Sequence, residues 1–391
     1  MGTIPTGSLP QIGGTIPQIE FSCNMPKVGS IDTPNRIPAD RTFVRKFFSD
    51  QMTMPDGAVV DYWGFEDDTS GRHFPAPLIR ATEGEVVHVT MSASKRVHTI
   101  HHHGIEPEPV NDGVGHTSFE ISGSYTYQWR PTQAGSFFYH CHVNTTLHVQ
   151  MGLYGFLIVD PPPDPSLPPT QRRPFPGGPA YDVDLERVWV FGAIDPRWHT
   201  LKHAAGLCST QDARASALHD FRPEYVLING AVQPMDPMAS ITDPSIAVTA
   251  ESGHPILLRL LNSTYVPEVV VFRPDPTTGA TLSPRMICSD GRVLRDRKEA
   301  FAPVPIRKQT RGVDLATASG HMRRSTKGCA VCIISSAERH DLLLNTEADP
   351  APPGVYPVEI EFRQWRHPHP PITDPPLNAP NFIARTTITI T

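Results

Sequence analysis

The chain has 391 residues, 39% hydrophobic and 19% charged, and a formal net charge of −6 at pH 7. This composition is typical of a soluble globular protein, and the negative charge argues against a nucleic-acid partner. No apolar run is long enough to cross a membrane, and the length suits two domains of roughly 150–200 residues.

The chain begins with a Gly- and Pro-rich stretch, residues 1–40, which predicts an extended arm. It lacks the basic start, apolar core and cleavage site of a secretory signal, so the cellular location stays open. Short strands separated by turns follow, among them "GEVVHVTM", "SYTYQWRP", "GSFFYHCHV" and "LYGFLIVD". This spacing predicts a Greek-key β-sandwich over residues 41–160.

The second half repeats the strand pattern after a Pro-rich linker at residues 161–184. The 43 prolines of the chain disfavour long helices and favour strands joined by stiff loops. Strands such as "ERVWVFGAI", "YVLINGAV" and "GVYPVEIEF" predict a second sandwich over residues 185–391. Cys329 and Cys332 form a C-x-x-C, but no second pair completes a zinc site, so "CAVCIIS" is interpreted as a buried strand.

Metal-binding residue types concentrate in "RVHTIHHHGIEPEPVNDGVGH" and "GSFFYHCHVNTTLHVQMGLYG". Successive side chains of a strand leave opposite faces, so Cys141 is expected to point away from His140 and His142. One tripeptide can therefore serve two metal sites joined by a covalent path. The soft thiolate suits copper, and paired imidazoles suit copper or another borderline metal.

The upstream histidines complete two predicted groups. Two of them lie on one face of a strand and can meet His140 and His142 across a strand pair, whereas a third leaves on the opposite face toward the cysteine. The cysteine group has the trigonal two-histidine, one-cysteine set of a blue-copper centre and consists of His98, Cys141 and His148. The histidine cluster consists of His101, His103, His140 and His142.

These segments resemble two motifs of multicopper oxidases. "HTIHHHGI" looks like the H-x-H-G motif of that family, and "GSFFYHCHVNTTLHVQMGLYG" resembles its cysteine-bearing copper loop. The flanking "FPAPLIRATEGEVVHVTM" agrees with the family as well. In the second half, "YVLINGAV", "RLLNSTY" and "SSAERHDLLL" resemble the metal-free middle domain of laccases.

The resemblance implies two cupredoxin-like domains and a laccase-like copper oxidoreductase. The cysteine group would bind type 1 copper, which accepts single electrons from a small-molecule or metal-ion donor near His148, whose ring edge is expected to face solvent. Electrons would then pass through Cys141 to its two neighbours. The histidine cluster would hold type 2, or type 2 and type 3, copper that reduces dioxygen. Asp112 in "NDG" matches a carboxylate that relays protons or orients a ligand. Copper use favours a periplasmic or secreted protein.

The chain departs from the family at two places. Leu153 stands where many type 1 sites have an axial methionine, and Met151 is out of that register, so we expect three-coordinate copper. The oxygen-reducing cluster of the family uses histidines from two copper domains, whereas this chain has one such domain. In the second half only His367 and His369, in "RHPHPPITD", form an H-x-H.

Three alternatives follow for the histidine cluster. Two first domains could combine their histidines across a twofold axis. The second domain of a neighbouring subunit could instead supply one histidine to a mononuclear three-histidine site, as in copper nitrite reductases. His103 and His140 would be the local members of that site, and nitrite the acceptor. The cluster could also be altered, which would leave a type 1 electron-transfer or copper-binding protein. The first two alternatives require a homo-oligomer.

Overall fold

The computed structural model describes residues 27–33, 36–93, 96–205, 218, 221–295, 301, 303–306, 314–316, 323–325, 328–363 and 383–391. The predicted arm is therefore covered only at 27–33 and 36–40, and His367 and His369 lie outside the described residues. None of the helices within these ranges has the length and apolarity needed to span a membrane.

Strands are the main secondary structure of the first half. They are β1 (Lys27–Val28), β2 (Arg41–Thr53), β3 (Val59–Glu66), β4 (Ala76–Thr82), β5 (Val87–Ser92), β6 (His101–His103), β7 (Glu120–Ile121), β8 (Ser124–Trp129), β9 (Gly135–His140) and β10 (Tyr154–Asp160). The helix α1 (Thr145–Gln150) lies between β9 and β10, and a 3-10 turn covers Pro109–Asn111.

Strands also form the second half. They are β11 (Gln171–Arg172), β12 (Tyr181–Asp182), β13 (Glu186–Ile194), β14 (Tyr225–Ile228), β15 (Ala231–Val232), β16 (Val248–Ala250), β17 (Ile256–Asn262), β18 (Glu268–Phe272), β19 (Arg285–Ser289), β20 (Arg292–Val293), β21 (Val304–Pro305), β22 (Asp314–Ala316), β23 (Arg323–Ser325), β24 (Ala330–Ile334), β25 (Arg339–Leu344), β26 (Gly354–Phe362) and β27 (Ile383–Ile390). Further 3-10 turns cover Val183–Leu185 and Trp198–Thr200.

Two four-stranded sheets form the first half, in the orders β4-β10-β9-β6 and β3-β2-β5-β8. The strand β8 shows why they pack together, because its buried residues Tyr125, Tyr127 and Trp129 alternate with more exposed ones. These rings join a buried apolar cluster that also contains Phe137 and Leu157 from the other sheet. The pairs β2–β5 and β4–β10 are parallel and the rest of each sheet is antiparallel.

The second half contains an eight-stranded sheet, with the path β15-β14-β13-β17-β25-β19-β20 and β21 beside β19, and a five-stranded sheet, β16-β27-β26-β18-β24. A separate apolar cluster fills the space between them and includes Trp189, Leu258 and Tyr356. The predicted all-β fold is therefore confirmed. Cys329 and Cys332 are both buried, in different apolar clusters, as expected for a buried strand rather than a shared metal site.

The two halves meet along β9 and β10. Phe138 and Phe156 pack against Val190 and Leu261 of the second half. Beside them, Arg259 of β17 binds the carboxylate of Asp341 at 3.0 Å, with both side chains fully buried. The Ser136 hydroxyl at the start of β9 donates to Asp341 at 2.5 Å. The strand that leads to the H-C-H tripeptide is thus tied to the second half.

Candidate metal centre

The H-C-H tripeptide lies at the end of β9. The predicted strand "GSFFYHCHV" ends at His140, so Cys141 and His142 come directly after it. The amide of Cys141 still donates to the carbonyl of Leu153 at 3.0 Å, which prolongs the extended course of the chain. Antiparallel pairing of β6 with β9 puts His101 opposite His140. The predicted meeting of these two segments is therefore observed.

The cysteine group has the spacing of a trigonal metal site. The Sγ atom of Cys141 lies 3.6 Å from Nδ1 of His98 and 3.2 Å from Nδ1 of His148. A metal with bonds of roughly 2.0–2.3 Å to three coplanar ligands separates the ligand atoms by roughly 3.5 Å. All three side chains are 0% exposed. The donor atoms therefore suit a small, soft cation held away from water.

The protonation states of the cysteine group are set by burial. Burial lowers the pKa of His98 and of His148 well below the usual range, and a neighbouring imidazole lowers each pKa further. Burial also raises the pKa of the Cys141 thiol to about 12. At neutral pH the imidazoles are neutral ligands, whereas the thiol has to release a proton when a metal binds.

Aromatic and aliphatic side chains surround the cysteine group. Phe47 stacks on His98 with ring centroids 4.2 Å apart, and Trp63 packs edge-on against His148 at 5.3 Å. Met151 and Leu153 are buried in the same apolar cluster as Cys141. This shell excludes water and keeps the local dielectric constant low, which tunes the reduction potential of a bound metal.

His203 is a neighbour of the cysteine group that the sequence analysis did not identify. Its ring lies 4.3 Å from that of His148 and 4.9 Å from that of His98. Ligand atoms of these three histidines lie within 4.8 Å of one another. The Nε2 of His148 donates to the carbonyl of His203 at 3.1 Å. The expectation that the His148 ring edge faces solvent is therefore wrong, because a segment of the second half covers it.

The histidine cluster lies on the other side of the tripeptide. The ring of His101 is 5.2 Å from that of His140 and 5.5 Å from that of His142. Nδ1 of His103 lies 3.4 Å from Nε2 of His140. Nδ1 of His142 is buried and has no hydrogen-bond partner, as expected of a nitrogen free to bind a metal. His116 lies further out, 6.4 Å from His142.

Burial keeps three imidazoles of the cluster neutral, those of His103, His140 and His142. Burial, then the charge of Arg339, lowers the pKa of His103 to about 3. Burial lowers the pKa of His140 well below the usual range, and it also lowers the pKa of His142, with His101 as the next cause. Because neutral imidazole is the ligand form of histidine, these residues fit a copper ion.

Asp112 orients one member of the cluster. Nδ1 of His101 donates to the backbone carbonyl of Asp112 at 2.8 Å and lies 3.2 Å from its carboxylate. This leaves Nε2 of His101 as the ligand atom. Gly113 makes the contact possible, because its φ is +74° and a Cβ atom there would lie 1.9 Å from the carbonyl oxygen of Ile100. Only glycine fits this turn.

The second half forms part of the wall of the histidine cluster. A cavity of about 580 Å³ is lined by His101 and His103 on one side and by Asp290, Glu338 and Arg339 on the other. The Arg339 guanidinium lies over the ring of Phe138 at 5.5 Å, and that ring stacks on His103 at 4.4 Å and on His140 at 5.1 Å. The rings of His103 and His140 are therefore held in place by Phe138, and His101 and His103 face a cavity.

The structure combines paired β-sandwiches with a buried two-histidine, one-cysteine group that shares a tripeptide with a histidine cluster. This arrangement is typical of cupredoxin-type copper sites. Residues 51–164, which contain both groups, match the family model described as multicopper oxidase. The predicted resemblance to multicopper oxidases is therefore confirmed for residues 51–164. Copper is the metal of this family, and the two groups could hold it.

Comparison with known proteins supports this assignment. The chain is 38% identical over 171 residues to an L-ascorbate oxidase from Cucumis sativus, an alignment that covers 41% of the chain and 25% of the relative. The chain thus spans about a quarter of the length of this curated relative.

Solved structures share the fold. The Blue Copper Oxidase from Nitrosomonas europaea has a TM-score of 0.57 and 21% identity, with 90% of this chain and 86% of that chain covered. The copper nitrite reductase from Nitrosomonas europaea has a TM-score of 0.53 and 18% identity, with 90% and 93% covered. At these identities the likeness establishes the cupredoxin fold.

Proposed function

We propose that the protein is a copper-dependent oxidoreductase that oxidises an electron donor at the cysteine group and reduces dioxygen at the histidine cluster. Residues 41–160 form the metal-binding domain, residues 161–184 the linker and residues 185–391 the second domain. The observation that carries this proposal is the placement of Cys141 between His98 and His148 while His140 and His142 face His101.

The residues of the cysteine group would hold a metal in a site closed to solvent. His98, Cys141 and His148 are fully buried, and apolar side chains together with the ring of His203 surround them. Copper bound to the two groups would supply one-electron redox chemistry at the first and dioxygen reduction at the second. A closed shell suits the first task, because a metal that only exchanges electrons benefits from little change in its surroundings.

The tripeptide provides the connection. Cys141 is covalently joined to His140 and to His142, so the two groups are separated by a few bonds of backbone and side chain. His140 also donates from Nδ1 to the carbonyl of Cys141 at 2.9 Å, which adds a hydrogen-bonded path. Electrons received on the sulfur side can therefore reach the histidine cluster without crossing solvent.

The histidine cluster provides the open side. His101 and His103 line the cavity, and Asp112 fixes the ring of His101 while its carboxylate can hold a proton near the site. Four histidines satisfy one copper ion or part of a larger cluster. A second copy of the chain, in a homo-oligomer, would supply the missing ligands from the cavity side.

A nitrite-reductase-like reaction is the second candidate. The group of His101, His103 and His140, with ligand atoms within 4.8 Å of one another, favours it because three imidazoles are sufficient for a single copper. Such a protein would hold one copper in each group and would consume nitrite. A protein with only the cysteine group occupied would be an electron carrier.

Copper-loaded protein tests these alternatives. The measurements are copper per chain, visible absorption, and dioxygen consumption with hydroquinone or ferrous ion as electron donor. The proposal predicts an intense visible band, more than one copper per chain and donor-dependent consumption of dioxygen. One copper per chain without consumption of dioxygen contradicts it, and nitrite-dependent formation of nitric oxide supports the second candidate instead. Light scattering on the same sample gives the oligomeric state.

A further inference from the structure

Five residues of the second half, Leu201–Ala205, lie across the cysteine group and are called the cap here. Leu201 is 5% exposed and Ala205 0% exposed, and both belong to the apolar cluster of the first sandwich together with Cys141 and Leu147. The cap is therefore held by the core of the first half, although it lies far along the chain. Burial of two apolar side chains fixes it in place.

Hydrogen bonds fasten the middle of the cap. The side-chain amide of Asn144 donates to the carbonyls of His203 and Ala205, at 3.2 and 2.9 Å. Nε2 of His203 donates to the carbonyl of Val97 at 3.0 Å. The His203 carbonyl also accepts the bond from Nε2 of His148. Val97, which directly precedes His98, and Asn144, which lies between Cys141 and His148 in the chain, thus both bind the cap.

The cap changes which imidazole faces outward. His148 is 0% exposed, whereas His203, whose ring packs against both ligand imidazoles, is only half-buried. A molecule that approaches this side meets His203 and not His148. A hydrogen-bonded route from that surface to the cysteine group runs through the carbonyl of His203 to Nε2 of His148.

We infer that the cap moves the electron entrance from His148 to His203, and that His203 determines which electron donors are accepted. This inference rests on the proposed function. Compounds that transfer an electron without seating against the ligand ring, such as metal complexes, are oxidised. Organic donors that have to contact the His148 ring are excluded by the cap. In each case one electron would pass from the donor to copper(II) held by the cysteine group, which would become copper(I). An organic donor would release its proton to solvent.

Two variants open the cap without altering a predicted ligand. Asn144 has a left-handed backbone with φ of 43° and makes no side-chain capping bond to α1, so Asn144→Gly keeps the backbone and removes the two bonds to the cap. His203→Ala removes the ring. His254→Ala is the matched control, because His254 is an exposed histidine of the second half.

Acylation of the metal-free protein by diethyl pyrocarbonate measures how well the cap shields His148 from solvent. Peptide mass spectrometry follows the reaction of each histidine, with His254 as the exposed reference. We expect His148 to be protected in the unmodified protein. In Asn144→Gly it should react about 30-fold faster, since two hydrogen bonds of ordinary strength are lost. Reaction of His148 as fast as His254 in the unmodified protein overturns the inference, as does unchanged protection in both variants.

Donor selectivity is measured as the rate at which each donor reduces the copper-loaded protein in the absence of oxygen. Bleaching of the visible band gives that rate. Ferrocyanide represents metal complexes and hydroquinone represents organic donors. Opening the cap should raise the hydroquinone rate by about tenfold or more and change the ferrocyanide rate by less than about threefold. Equal rates for hydroquinone in the variants, the control and the unmodified protein overturn the inference. If no visible band forms at all, the proposed function fails, while the acylation experiment still decides the cap.

Discussion

The cysteine group and the histidine cluster share one tripeptide but lie in opposite surroundings. His98, Cys141 and His148 are each 0% exposed, beneath a cap from the second half. His101 and His103 instead line a cavity of about 580 Å³. One side is closed and has all of its ligands within the described residues. The other is open and has room for a small molecule or for ligands from another subunit.

In the proposed function, this difference separates the tasks of electron transfer and substrate reduction. A buried, preformed site lowers the cost of reorganisation when an electron arrives, whereas dioxygen or nitrite has to reach its metal directly. Both halves of the chain contribute to the contrast. The second half closes the cysteine group through His203, and its Arg339 supports the cluster by lying over the ring of Phe138 in β9.

Removal of one cluster imidazole should have the largest effect and should affect one side alone. In His140→Ala we expect dioxygen consumption to be lost and the visible band of the cysteine group to remain, because Cys141 faces away from the missing ring. Absorption spectra and an oxygen electrode measure both. His73→Ala, the loss of an exposed histidine, is the control. Unchanged turnover in His140→Ala would eliminate the role proposed for the cluster.

Weakening the anchor of β9 should affect both metal-binding groups, because this strand leads to both. Asp341→Ala leaves the fully buried Arg259 without one of its carboxylate partners and removes the bond to Ser136. We expect a loss of about 3–5 kcal/mol in the free energy of unfolding, measured in urea. Asp68→Ala, which breaks an exposed pair with Lys46, should cost less than about 1 kcal/mol. Equal losses in the two variants would show that the buried network does not anchor β9.

The buried His199 should also make the free energy of unfolding depend on pH. Burial lowers the pKa of His199 to about 4, although its Nδ1 donates to the carbonyl of Asp61. An unfolded histidine titrates near pH 6.5, so between about pH 6.5 and 4 the unfolded chain binds the extra proton. This contribution to stability is therefore present above about pH 6.5 and is lost as the pH falls to about 4, at roughly 3 kcal/mol.

Urea unfolding of the metal-free protein at several pH values measures this effect. The free energy of unfolding of His199→Gln should fall less steeply between those pH values than that of the unmodified protein. His254→Ala serves as the exposed control. Parallel curves for His199→Gln and the unmodified protein would mean that His199 is not the buried neutral residue described.

The smallest effect is expected at Asp112. Asp112→Asn keeps the backbone carbonyl that orients His101 and removes only the carboxylate charge 3.2 Å from Nδ1. Residues that hydrogen-bond to a metal ligand usually change activity by about 10–100-fold when they are replaced. We therefore expect the lower end of that range here, a loss of about tenfold in the rate of dioxygen consumption. The visible band should not change. A fall in the visible band would mean that Asp112 also influences the closed side.

The sequence predicts the parts of this arrangement that depend on local periodicity. Alternation along a strand places Cys141 and His140 on opposite sides, and the two-residue spacing of His101 and His103 places them on one face. The all-β fold follows from the same patterns. The copper ligand assignments, including His142 and His148, and the domain boundaries stay predictions.

The parts that depend on tertiary contacts could not be predicted. His203 lies in "LKHAAG", which carries no spacing signal, and it reaches the cysteine group only because Leu201 and Ala205 enter the core of the first sandwich. For the same reason the burial of His148 was not foreseen. The role of Arg339 behind Phe138 likewise depends on how the two halves pack together.

The central claim is that one tripeptide serves two metal sites on opposite sides. Visible absorption and copper content of Cys141→Ser test it most directly, with His140→Ala prepared in parallel. The account predicts a colourless Cys141→Ser protein that still binds copper at the histidine cluster. A Cys141→Ser protein that keeps the intense visible band would contradict it.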